Sequence, residues 1–131
     1  MKKHGILNQG ISTLVASMGH TDTLVVADAG LPIPEIVWRL DLALTEGVPS
    51  FLQTVEVILQ ELEVQEAIIA EEMLTKSPEL FQQFSELLGD IPISQVPHEE
   101  FKERTQEAKG IVRTGEFTPY ANVILVAGVV F

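Results

Sequence analysis

Cysteine is absent from the 131-residue chain. That removes disulfides, thiol nucleophiles and thiolate metal sites, and it fits a reducing, cytoplasmic setting. Basic residues are few: eight Lys and Arg against nineteen Asp and Glu leave a net charge of −11. They are scattered, whereas a phosphate backbone calls for clustered cations, so no nucleic-acid partner is expected. Long hydrophobic runs are missing too. The longest apolar stretch, Val123 to Phe131, falls far short of the roughly 20 residues that a membrane helix needs. The basic start, Met1-Lys2-Lys3-His4-Gly5, has no apolar stretch behind it, and no secretory signal is expected.

Several chemical signatures are also lacking. No pair among His4, His20 and His98 has metalloenzyme spacing, so no metal site is expected. No glycine loop of the phosphate-cradling kinds occurs. None of Ser12, Ser17, Ser50, Ser77, Ser85 and Ser94 lies in a nucleophile-elbow context. Glu71-Glu72 could form an acid/base pair, but a solvated loop or strand end is the simpler reading.

Hydrophobic residues make up 46% of the chain, enough for one domain over residues 1–131 with a continuous core. In so small an acidic chain, that content reads either as a well-filled core or as surface buried between subunits. Asn8 looks like an N-cap, and Ile11, Leu14, Val15 and Met18 then mark one helix face that Gly19 can end in the left-handed region. His20-Thr21-Asp22 is a short turn. Thr23 to Ala27 reads as a buried strand, and Ile36 to Ala43 alternates like a second one. Ser50 and Gln53 have capping-box spacing ahead of a helix whose face holds Phe51, Val55, Ile58, Leu59 and Leu62.

Further on, Ala67 to Ala70 is a strand. Ser77-Pro78 opens a helix stopped by Gly89, with Phe81, Phe84, Leu87 and Leu88 as its apolar side. Ile91 to Val96 reads as an edge strand because of Pro92. His98 to Glu107 reads as a charged amphipathic helix. Gly110 to Thr114 and Ala121 to Val130 are the last strands, the closing one apolar on both faces and so central. The expected fold is α/β: a single-domain, three-layer α/β/α-like sandwich with a mixed sheet of about six strands.

Five residues stand out for chemistry. His20 sits in a tight helix-to-strand connection, where it either faces a ligand or bonds a local carbonyl or Asp22. Asp28 ends a buried strand, in the usual ligand crevice of an α/β sheet, or else caps the Ala29-Gly30 turn. His98 shares a helix face with Lys102; a helix-start histidine and a solvated lysine explain that pair as well. Tyr120, the only tyrosine, and Asn122 are two apart, so in a strand they project to one side. Together they suit sugar hydroxyls, or they satisfy turn backbone.

Gly19-His20-Thr21-Asp22-Thr23-Leu24-Val25-Val26 and Asp28-Ala29-Gly30-Leu31-Pro32-Ile33-Pro34 resemble the N-terminal signature of the D-ribose pyranase / L-fucose mutarotase family. So do Ala43-Leu44-Thr45, Gly47-Val48-Pro49-Ser50-Phe51, His98-Glu99-Glu100-Phe101-Lys102 and Pro119-Tyr120-Ala121-Asn122. The resemblance runs from Met1 to Phe131, and Thr21-Asp22-Thr23 with Leu31-Pro32-Ile33-Pro34 favours the ribose branch. It implies interconversion of β-D-ribopyranose and β-D-ribofuranose, the form ribokinase uses, without a cofactor. It implies His20 as proton donor, and Asp28, His98, Tyr120 and Asn122 as sugar contacts, with Lys102 carried over weakly. It also implies a ring-shaped homo-oligomer, a decamer, with sites between subunits. An L-fucose-type mutarotase, a non-catalytic sugar-binding module and a purely structural oligomer are the rival readings.

Overall fold

Alternate residues of the buried strands fall into two separate apolar clusters, and that period of two defines the layers. In β1 (Thr23–Ala27), Leu24 and Val26 enter one cluster, Val25 and Ala27 the other. The computed structural model describes every residue from Met1 to Phe131. Its other strands are β2 (Trp38–Asp41), β3 (Val64–Ala70), β4 (Ile93–Val96), β5 (Gly110–Arg113) and β6 (Val123–Ala127). They form one six-stranded sheet in the order β2-β5-β1-β6-β3-β4.

Only β6 runs antiparallel to its neighbours, β1 and β3; the remaining pairs are parallel. The sheet is therefore mixed. The C-terminal ends of β1 to β5 and the start of β6 share one rim, and the end of β6 lies on the opposite rim. All five residues of β6 are buried, as its two-sided apolar sequence predicts for a central strand.

The helices α1 (Gln9–Ser17), α2 (Phe51–Leu59), α3 (Glu72–Lys76) and α4 (Pro78–Leu88) cover one face; α5 (His98–Arg104) covers the other. On the first face Ile11, Leu14, Phe51, Val55, Ile58, Met73, Phe84 and Leu88 pack against the sheet. On the second, Phe101 of α5 joins Leu31 and Val37 from the connection between β1 and β2. The three-layer expectation holds.

Phe51 and Phe84 are fully buried, with ring centroids 5.6 Å apart, and they lock α2 to α4. Replacing Phe84 by alanine is expected to cost about 3–5 kcal/mol through lost transfer energy and the cavity left behind. Chemical denaturation followed by circular dichroism checks this.

The caps follow the spacing where they are local. Asn8 Oδ1 accepts the Ile11 amide at 2.9 Å, and Ser50 Oγ accepts the Gln53 amide at 3.1 Å. Gly89, at φ 59°, stops α4. Other expectations need correction. The left-handed residue after α1 is Thr21, at φ 69°, and not Gly19. The reason is a turn stitched by Asp22, whose Oδ2 accepts the Gly19 amide at 2.8 Å.

Ser77 links α3 directly to α4, and its hydroxyl donates to the Pro119 carbonyl at 2.7 Å instead of capping α4. The second strand is only Trp38–Asp41, and the last ends at Ala127. The third begins earlier than expected, at Val64, because β6 supplies partners as far as Ala127. Leu62 joins the core from beyond the end of α2. The short α3 has no sequence signal, since Met73 is its only buried residue.

Candidate functional site

The polar groups gather where the parallel strands end. Asp28 follows β1 directly, and Asn122 precedes β6, its antiparallel neighbour. Asn122 is 1% exposed, and both polar atoms of its side-chain amide bond Asp28, with one N–H and one lone pair to spare. Its Oδ1 accepts the Asp28 amide at 2.8 Å and its Nδ2 donates to Asp28 Oδ2 at 2.9 Å. Asp28 Oδ1 accepts the Gly30 amide at 2.9 Å, so the turn-capping role is realised alongside the other. Both carboxylate oxygens keep lone pairs for a hydroxyl donor.

Tyr120 lies in a turn with a left-handed backbone, φ 61°, and not in a strand as expected; its carbonyl accepts the Asn122 amide at 2.9 Å. Its ring meets His98 edge-on, with centroids 5.0 Å apart. His98 opens α5, and both Glu72 oxygens accept its backbone amide at 3.0 and 3.1 Å. The ring nitrogen Nδ1 of His98 is buried with no hydrogen-bond partner, a cost that native proteins confine to a few special places. A continuous line of contacts thus runs Asp28–Asn122–Tyr120–His98–Glu72 along the rim.

Lys102 lies on α5 but reaches Glu99, at 2.7 Å. That hydrogen bond and charge hold the Glu99 carboxyl below its usual range, so the pair weakens only as pH falls through that lowered range.

His20 is elsewhere. It precedes β1, whereas Asp28 follows it. At about 3.3 Å per residue, the six steps from Asp22 to Asp28 span about 20 Å. The Thr21 amide donates to the Ala127 carbonyl, at the end of β6, which pins the His20 turn to the opposite rim. Within one chain, then, the structure brings together Asp28, His98, Tyr120 and Asn122 and leaves His20 apart. His20 is exposed, and its Nε2 lies 3.0 Å from Gln65 Oε1. The two non-glycine residues with positive φ, Thr21 and Tyr120, fall one at each place. Such backbone costs of order 1–3 kcal/mol each and clusters at functional sites.

A cleft of about 440 Å³ borders the rim, lined by Asp28, Ala29, Gly30, Arg113, Glu116, Phe117, Thr118 and Pro119. That falls within the range of small-molecule sites, about 300–1,000 Å³. The sequence reading leaves out its Arg113, which donates to both oxygens of Asp41 at 3.1 Å and from Nε to the Ala29 carbonyl at 3.1 Å. It leaves out Glu116 as well, which accepts the first amide of α2, from Phe51, at 3.0 Å. A lone arginine closing an otherwise apolar strand is the one signal that could have pointed there.

Replacing Asn122 by alanine is expected to lower unfolding stability by about 1–3 kcal/mol, because the Asp28 amide loses its partner. Thermal denaturation of the variant checks it.

This is an α/β protein whose polar cluster and cleft lie at the C-terminal ends of its parallel strands, where such sheets bind ligands. The chain belongs to the RbsD / FucU transport protein family, whose profile matches residues 1–130. It is 57% identical to a D-ribose pyranase of Coprothermobacter proteolyticus, over 100% of both chains. The structure of Bacillus subtilis RbsD complexed with D-ribose matches it with a TM-score of 0.97 and 47% identity, over 100% of both chains. The fucose mutarotase of Streptococcus pneumoniae in complex with L-fucose matches with a TM-score of 0.85 and 25% identity, over 99% of this chain and 100% of that one.

Proposed function

We propose that this chain is a ring-interconverting isomerase that converts β-D-ribopyranose to β-D-ribofuranose and back, supplying the furanose that ribokinase takes. The observation that carries the reading is the rim cluster Asp28–Asn122–Tyr120–His98, an array of hydroxyl-seeking groups. It belongs to a chain 47% identical, over its whole length, to a relative whose structure holds D-ribose. The L-fucose reading has the weaker support of 25% identity.

In the proposed reaction, an imidazolium N–H of His20 protonates the ring oxygen. The bond from that oxygen to C1 breaks as the anomeric hydroxyl becomes the aldehyde carbonyl and yields its proton to Asp28 or to water. On closure the C4 hydroxyl attacks the aldehyde carbon and returns its proton to the His20 ring, and the carbonyl oxygen is reprotonated. General acid/base catalysis of this kind contributes about 10²–10⁴-fold. Asp28, held by Gly30 and Asn122, acts as a fixed hydroxyl acceptor; Tyr120 and His98 flank the sugar.

Because His20 and the rim cluster lie at opposite ends of β1, the working site needs His20 from one copy and the cluster from a neighbour. This supports a homo-oligomer with shared sites, which the family resemblance makes a decamer. Ile36, Leu44, Phe117, Val130 and Phe131 are large apolar residues left exposed on one chain, as subunit contacts require.

Saturation-transfer NMR on D-ribose tests the reading. Wild-type protein is expected to speed pyranose–furanose exchange well above the uncatalysed rate. Binding with exchange at background would leave only a sugar-binding module.

A further inference from the structure

His20 has one side-chain partner, and the fold is locally altered to supply it. The pairing of β3 with β6 slips between Val64, opposite Ala127, and Glu66, opposite Val126. Gln65 is the extra residue of that β-bulge. Bulges re-aim side chains, and they recur beside active sites. Gly128 follows β6, and a Cβ built there would stand 3.2 Å from Gln65 Cβ and 3.4 Å from Gln65 N. A glycine therefore lets the backbone after β6 lie close against the bulge. Gln65 is thus turned outward at the end of the sheet, with its Oε1 at 3.0 Å from His20 Nε2.

We propose that Gln65 is a positioning residue for His20: the bulge aims its amide carbonyl at Nε2 and keeps the proton there. Nδ1 is then the nitrogen that gives and takes protons at the sugar. This rests on the ring-interconversion reading above and adds to it which face of the imidazole works. An amide oxygen accepts and cannot donate, so it is satisfied by Nε2–H in both the neutral and the protonated ring. The ring can cycle its Nδ1 proton without breaking the contact that orients it. A second group that sets the tautomer is the usual companion of a catalytic histidine.

No other charged group at this end hydrogen-bonds the His20 ring: Arg104 pairs with Glu100, and Glu107 borders Thr23. Asp22 receives the Gly19 amide, and Lys109 lies 3.7 Å from its Oδ2. Glu66 accepts the Ser94 hydroxyl. Glu63 precedes β3; its carbonyl takes the Gly128 amide, and its exposed side chain runs beside Gly128 without a hydrogen bond to the His20 ring. Gly128 to Phe131 and the end of α1 bring no charged side chain.

The test uses Gln65→Leu and Gln65→Glu in the full-length protein; Gln65 is exposed, so neither change disturbs the core. Long-range proton–nitrogen NMR of the unliganded wild type is expected to show the neutral His20 ring protonated on Nε2. Gln65→Leu is expected to lower kcat for ribose exchange about 10- to 100-fold, the scale of a misoriented catalytic group, with KM changed less than about twofold. Gln65→Glu is expected to restore most of the rate. Its carboxylate also favours the charged ring, the form that protonates the ring oxygen, so the alkaline limb of its pH–rate profile moves up by about one unit. A neutral wild-type ring protonated on Nδ1, or a Gln65→Leu variant with the wild-type rate and pH profile, overturns the assignment. Wild-type protein that fails to exchange ribose defeats the underlying reading through the rate alone, so the two failures are told apart.

Discussion

Replacing His20 by alanine is expected to cut ribose ring exchange by about 10²–10⁴-fold, the contribution of a positioned acid/base group, while leaving ribose bound. The two halves of this expectation have separate physical sources. His20 is exposed on a turn, and its ring hydrogen-bonds only Gln65, so its loss removes a proton carrier without opening the core. Asp28, Asn122, Tyr120 and His98 lie on the far rim and keep their mutual contacts. Ribose titration by calorimetry, run beside exchange NMR, separates the terms. A variant that binds and exchanges as fast as wild type would remove His20 from the mechanism; a variant that loses binding would make it a sugar contact.

Mixing two inactive variants is expected to restore activity. His20→Ala keeps the rim cluster, and Asp28→Ala keeps the histidine. If each site draws His20 from one copy and Asp28 from its neighbour, random reassembly of equal amounts leaves both groups intact in about one quarter of the sites. Activity should then rise from near background to about a quarter of wild type once subunits have exchanged. A site built within one chain gives no recovery above the parents. The placement of the two groups at opposite ends of β1 predicts recovery, and the rate measured before and after exchange decides it.

What the sequence disclosed follows the range of the forces involved. Asn8 and Ser50 cap their helices because the donor lies three residues away. The burial of β6 was legible in its own composition, as was the stop at Gly89. Contacts across the sheet were not. The bulge at Gln65 exists only because β3 pairs with β6, and the bidentate link from Arg113 to Asp41 only because β5 lies beside β2. Ser77 looked like a cap, and Pro119, remote in the chain, claimed its hydroxyl. The separation of His20 from Asp28 was within reach: once Thr23 to Ala27 is read as a strand, its two flanks must lie at opposite rims.

That strand's partner has a further consequence. β6 begins one residue after Asn122, and at its far end Ala127 holds the Thr21 amide of the histidine turn. One buried rod therefore sets the gap between the two half-sites of every copy. In a closed ring, each half must meet the complementary half of a neighbour, so the length of β6 acts as a gauge for the whole particle. Adding or deleting a single residue within it would send every residue beyond the change to the opposite face of the sheet and move the two half-sites relative to one another. On the proposed shared-site ring, its length is held by ring closure as well as by packing.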